Sequence, residues 1–222
     1  MIKHGALRRI FNGFAVAAGC FLWLLPATPP IAAEDAKPVK IVAIGDSLTA
    51  GYGLKLNEAF PAKLQAALRA KGIKAEVVNS GVSGDTSAGG RQRLAWALAD
   101  KPDFVILELG ANDGLRGLEP RQTRENLEAI IVALKEKQVG ILLAGMMAPP
   151  NLGKQYGDEF NAVFPALAQK HDLPLYPFFL EGVAAHPAFN QADGIHPTAQ
   201  GVDMIVERIL PYVEKLIAAK RG

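Results

Sequence analysis

Short apolar runs alternate with longer segments of helical spacing along most of this chain. Val39 to Ile44 is a β-branched apolar run that stops at Gly45, as a buried strand stops at its loop. From Asn57 to Lys71 the residues Phe60, Leu64, Ala67 and Leu68 recur at helical spacing, and Gly72 closes the segment. Ala75 to Val78 reads as a second strand. Gln92 to Ala99 reads as a helix with Leu94, Trp96 and Leu98 around its packed face, and the Gly89-Gly90 pair as its flexible start. Phe104 to Leu109 is the third strand, Pro120 to Lys137 a long helix, and Val139 to Met146 the fourth strand. Phe160 to His171 is helical and Leu173 to Tyr176 a short fifth strand. A last helix runs from Thr198 to Ala219, with Val202, Ile205, Val206, Ile209, Val213 and Leu216 on one side and Pro211 as a kink.

Strands that alternate with helices and are apolar on both faces predict a parallel sheet of five strands covered on both sides, a three-layer α/β/α sandwich. Ligands of such sheets bind beyond the carboxyl ends of the strands. Small and polar residues collect there: Gly45-Asp46-Ser47 after the first strand, Asn79 and Gly84-Asp85 after the second, Gly110 to Asp113 after the third, and Asp193 to His196 after the fifth.

The first 33 residues have a different pattern. A basic stretch ending in Arg8-Arg9 precedes an apolar run from Ile10 to Leu25, then prolines, then Ala32-Ala33. This is the layout of a secretory signal, with residues 34–222 as a single mature domain, periplasmic or secreted. An uncleaved anchor and a lipid-attachment signal at Ala17-Ala18-Gly19-Cys20 are the alternatives. Lys3, Arg8 and Arg9 are three of the 24 basic residues, leaving 21 against 22 acidic residues in the mature part, so no nucleic-acid partner is indicated. Cys20 is the chain's one cysteine, so the mature part has no disulfide, thiolate metal site or cysteine nucleophile.

A serine hydroxyl becomes a good nucleophile when a base takes its proton and a third group orients that base. Ser47 sits on a turn after a strand, and Asp193 lies three residues before His196, a spacing that one helical turn would bring to one side. The amides of Ser47 and Gly84 and the side chain of Asn112 are candidate donors to an oxyanion. Asp46, Asp85 and Asp113 read as turn and hydrogen-bonding supports, and His171 and His186 as surface residues. Two rival classes share these residues. A metal-dependent phosphoesterase would gather Asp46, Asp85, Asp113, Asp193 and His196 around a cation, although only one histidine is well placed. A non-catalytic small-ligand binding module is the other, and the sequence has neither a phosphate loop nor a dinucleotide fingerprint.

Gly45-Asp46-Ser47-Leu48, Ser83-Gly84, Gly110-Ala111-Asn112-Asp113 and Asp193-Gly194-Ile195-His196 resemble, in order, the four blocks of the SGNH (GDSL) hydrolases. The likeness extends over Thr49 to Tyr52, Asp85 to Ser87, Glu108-Leu109, Gly114 to Gly117 and Pro197, and looks most like the bacterial periplasmic acyl-CoA thioesterase I, lysophospholipase L1 and arylesterase type. The resemblance implies a flavodoxin-like SGNH hydrolase fold, Ser47 as nucleophile, and Ser47, Gly84 and Asn112 as the oxyanion hole. It also implies esterase, thioesterase and lysophospholipase activity with no cofactor and no metal, on small acyl esters or thioesters, with membrane lipids as a candidate source of substrate. Ala111 stands where close relatives often carry Gly. Met146-Met147-Ala148-Pro149-Pro150 would lie near the acyl-binding region, with Met146 and Pro149 as substrate contacts. A monomer is the default assembly.

Overall fold

The computed structural model describes residues 37–221, the last of them by its backbone alone; the predicted signal lies outside them. Five parallel strands form one sheet in the order β2-β1-β3-β4-β5: β1 (Val39–Gly45), β2 (Ala75–Gly81), β3 (Phe104–Glu108), β4 (Gly140–Ala144) and β5 (Leu175–Tyr176). The three central strands are the apolar runs of the sequence. Ile41, Val42, Ile44, Val105, Ile106 and Leu107 have no solvent exposure, and each fully buried aliphatic side chain contributes about 1.5–3 kcal/mol of transfer free energy. The outer strands depart from that pattern. β2 exposes Glu76 and Asn79 because it is a sheet edge, and β5 keeps only two residues.

The helices are α1 (Ser47–Ala50), α2 (Phe60–Ala70), α3 (Ser87–Gln92), α4 (Leu94–Ala97), α5 (Ala111–Leu115), α6 (Pro120–Glu136), α7 (Lys154–Asn161), α8 (Val163–His171) and α9 (Ala199–Arg221). α2 and α9 pack on each other over one face of the sheet, and α3, α6 and α8 pack together over the other. Proline in the first turn suits the entries to α2 and α6, where a missing N–H leaves no bond unmade. Ala36–Gly222 form one compact unit, and no described helix is long and apolar enough to cross a membrane.

Three predicted elements differ. The helix expected over 92–99 is broken at Arg93 into α3 and α4 and a short 3-10 turn, and Trp96 is 67% exposed instead of packed. Arg93 turns inward there, and the break rotates Trp96 to solvent. Gly89 and Gly90 lie inside α3 and serve close packing: a Cβ on Gly90 would lie 2.2 Å from Leu109 Cδ1. The helix expected from Phe160 is two helices, α7 and α8, meeting at Ala162. α9 continues through Pro211 and buries Ile217, with Leu216 half-buried at its margin.

The strand order changes direction between β1 and β3, since the chain moves outward from β1 to β2 and then returns to the far side for β3. The carboxyl ends of those two strands diverge into loops, and the crevice between them is where such sheets hold ligands.

Candidate active site

β1 delivers Gly45-Asp46-Ser47 into that crevice. Gly45 is required by space: a Cβ there would lie 2.4 Å from Glu108 Oε2 and closer still to Thr49. Asp46 caps α1, its Oδ1 accepting from the Leu48 N–H at 3.0 Å. Ser47 is the first residue of α1, where a backbone N–H has no intrahelical acceptor.

His196 and Asp193 arrive on the long connection between β5 and α9. Phe179 anchors it, fully buried edge-on against Phe60 of α2 at 5.0 Å between ring centroids. Gln191 ties it to the serine turn: its Nε2 donates to Tyr52 O at 2.8 Å and to Pro197 O at 2.9 Å, and its backbone N–H to His196 O at 2.7 Å. The spacing suggested a helical turn for 193–196, but the segment is an Asx turn. Asp193 Oδ1 accepts from the backbone N–H groups of Ile195 (2.9 Å) and His196 (3.0 Å), and Gly194 supplies the left-handed step at φ +71°.

That turn sets the imidazole. Asp193 Oδ2 lies 2.6 Å from His196 Nδ1, and His196 Nε2 lies 2.9 Å from Ser47 Oγ. The His196 backbone N–H, then its ring N–H, then the Ile195 N–H hold the Asp193 carboxyl down at about 2. It is therefore ionised at neutral pH and keeps the ring proton on Nδ1, leaving Nε2 free to accept from the Ser47 hydroxyl. Tyr52 packs against the imidazole at 4.5 Å between centroids, with the rings tilted by 36°. Gln191 does not stand out in the sequence, and Tyr52 does so only as the end of the first matching block.

Asn112 enters from β3 through Gly110, whose φ of +122° and contact with Phe164 exclude a side chain. Asn112 Nδ2 donates to Asp46 Oδ2 at 3.2 Å, which uses one of the amide's two hydrogens. Gly84 sits at φ +86° on the turn after β2, and its carbonyl accepts from Arg116 Nη2 at 2.8 Å. That turn starts beside the serine: Val82 N–H donates to Gly45 O, and a Cβ on Gly81 would collide with the Ala50 backbone.

Asp46, Asp85 and Asp113 are supports, as expected. Asp113 is buried and accepts from the Ser87 backbone and hydroxyl and from the Thr123 hydroxyl, while Asp85 pairs with Arg93. His171 meets Glu128 and His186 stacks on Phe189, both away from Ser47. Among the described residues no three His, Cys, Asp or Glu side chains converge to hold a metal ion, contrary to the cation-ringed alternative.

Glu108 opens the third block of the resemblance, but the sequence assigns it no role. It ends β3 with no solvent exposure, its Oε2 accepting from the Thr49 hydroxyl at 2.7 Å and its Oε1 buried without a partner. Burial, with the neighbouring Asp46 charge adding to it, pushes the Glu108 carboxyl well above the usual range. Burial also raises Asp46, to about 6, against the hydrogen bonds from Leu48 and Asn112. An acid interrupting an apolar strand is the signal that could have pointed to Glu108.

A cavity of about 400 Å³ opens at Ser47, Asn112 and His196. Met146 and Pro149, the predicted contacts, line it together with Leu115, Phe178, Leu180 and Ile195, whereas Gly84 lies outside its wall. Apart from His196 no titratable side chain faces it, so it suits a hydrocarbon chain.

Residues 43–204 match the GDSL-like lipase/acylhydrolase family. The esterase TesA of Pseudomonas aeruginosa is 40% identical over 185 residues, 83% of this chain and 92% of that protein. Thioesterase 1/protease 1/lysophospholipase L1 of Escherichia coli is 38% identical over 198 residues, 89% of this chain and 92% of its own length. The crystal structure of AlinE4, an SGNH-hydrolase family esterase, superposes with a TM-score of 0.70 at 50% identity, covering 81% of this chain and 97% of that one. The family match over residues 43–204 and the identity to these relatives agree, and this chain belongs to the GDSL-like lipase/acylhydrolase family.

Proposed function

We propose that the protein is an exported serine hydrolase that cleaves carboxylic esters and thioesters of acyl groups through an acyl-Ser47 intermediate. The observation that carries this reading is the continuous chain Ser47–His196–Asp193 at 2.9 and 2.6 Å, set at the mouth of an apolar cavity. Ser47 Oγ attacks the carbonyl carbon while its proton passes to His196 Nε2. The Ser47 and Gly84 N–H groups and Asn112 Nδ2 donate to the resulting oxyanion. Collapse expels the alcohol or thiol, which takes the proton from His196. Water then attacks the acyl carbon, giving its proton to His196, and the second tetrahedral intermediate releases the acid and regenerates Ser47. Asp193 stays ionised throughout and stabilises the imidazolium.

Arylesterase, lysophospholipase and thioesterase substrates all fit an acyl cavity. An exported enzyme seldom meets acyl-CoA, so carboxylic esters, lysophospholipids of a membrane included, are favoured. All three side chains of the relay come from one chain, which supports a monomer. Residues 1–33 act as a cleaved signal, so the mass of the protein recovered from cells is that of a chain beginning near residue 34.

The test is a p-nitrophenyl ester series on the mature protein, with a serine-directed organophosphonate and EDTA in parallel, and Ser47→Ala as control. Hydrolysis stopped by the phosphonate, spared by EDTA and absent in a folded Ser47→Ala supports the reading. Hydrolysis retained in Ser47→Ala, or lost to EDTA alone, overturns it.

A further inference from the structure

Arg93 has no role in the relay and no distinction in the sequence from Arg91 two residues before it. Its side chain is nevertheless 16% exposed, and every nitrogen of its guanidinium is engaged. Nη2 donates to Gly45 O at 2.8 Å. Nη1 donates to Ser80 O at 2.8 Å and to Ser80 Oγ at 3.0 Å, and Nε pairs with Asp85 Oδ2. These acceptors come from three segments: the end of β1 two residues before Ser47, the buried Ser80 of β2, and the loop residue that follows Gly84. α3 is shaped to allow this, since a Cβ on Gly89 would lie 2.6 Å from Asp85 Oδ1 and displace that carboxylate.

We propose that Arg93 is a positioning residue that fixes the Gly84 loop against the Ser47 turn, and so sets the spacing of the two backbone donors of the oxyanion hole. The inference rests on the acyl-Ser47 reading. The guanidinium is a planar fork whose donors span a fixed width, and here that width bridges Gly45 on one side and Asp85 on the other. A lysine ammonium carries the same charge at a single point and cannot hold both. Ground-state binding of the acyl chain takes place in a cavity that Arg93 does not line. Its loss therefore acts on the tetrahedral state and not on substrate affinity.

The experiment compares Arg93→Lys and Ser80→Ala with the wild type on a p-nitrophenyl ester, well below each variant's Tm, with Leu68→Ala as a control destabilised in the core far from Ser47. In Arg93→Lys we expect kcat to fall tenfold or more with KM within twofold. The rate of inactivation by an organophosphonate should fall in parallel, and the shape of the pH–rate profile should be unchanged. Ser80→Ala, which removes one acceptor only, loses about threefold by the same pattern and provides the test if Arg93→Lys does not fold. Wild-type kcat in the folded variants overturns the proposal, as does an equal loss in Leu68→Ala at matched Tm. Failure of the acyl-Ser47 reading itself shows separately, as activity retained in Ser47→Ala.

Discussion

Glu108 Oε2 lies 3.4 Å from the Asp46 backbone nitrogen, so two acidic residues with no solvent exposure meet one position before Ser47. Both carboxyls have values raised by burial, Asp46 to about 6 and Glu108 well above its usual range. A raised carboxyl favours the fold while protonated, and that contribution fades as pH rises through the folded value. Glu108→Gln removes the acid and keeps an oxygen for the Thr49 hydroxyl. Thermal melts from pH 5 to 9 should show the variant close to the wild type at pH 5 and declining less steeply above pH 6. A parallel decline in both proteins would count against a neutral Glu108.

Asp193 has the opposite sign. Its folded value near 2 lies below the ordinary carboxylate value, so its bonds to 195 and 196 support the loop above about pH 4 and are lost as pH falls toward 2. Because the side chain is 39% exposed, its larger effect should fall on catalysis and not on stability. Asp193→Asn would donate to Nδ1 and leave the proton on Nε2, the wrong tautomer, and kcat should fall on the order of 10³–10⁴-fold. Steady-state kinetics with a melt in parallel checks both halves of this expectation.

Asn112 offers one amide hydrogen to the cavity while Asp46 holds the other. Asn112→Ala should lower kcat about 10²–10³-fold, the usual cost of one oxyanion donor, with KM little changed. Titration with an unreactive acyl analogue should show unchanged affinity; weakened binding would move Asn112 from the transition state to the ground state.

The apolar cavity gives a quantitative expectation. Burying one CH₂ is worth about 0.8 kcal/mol, so kcat/KM should rise about fourfold per methylene until the cavity is full. Leu115→Ala, on its wall, should flatten that slope for longer esters and spare the acetate.

The buried strands and the relay were legible because their signals are local: short apolar runs for β1, β3 and β4, and four short motifs in the loops that follow strands. What stayed hidden depends on which way a side chain turns. Arg93 and Trp96 lie on one short segment, and its spacing does not reveal that the charged residue goes inward and the aromatic outward. The 193–196 spacing fits a helical turn and an Asx turn equally well, and the Gly194 left-handed step decides for the second. Gln191 and Tyr52 matter through backbone acceptors and a tilted ring contact, which leave no mark on composition.

Ser47 and His196 are 149 residues apart in the chain. On the acyl-Ser47 reading the nucleophile is thus made early and its base almost last, on a connection that is itself held by Phe60 and Tyr52 near the start. A nascent or truncated chain ending before residue 193 carries a serine with nothing to deprotonate it. On that reading reactivity arrives only with completion of the fold, so an unfinished molecule cannot acylate itself or its surroundings.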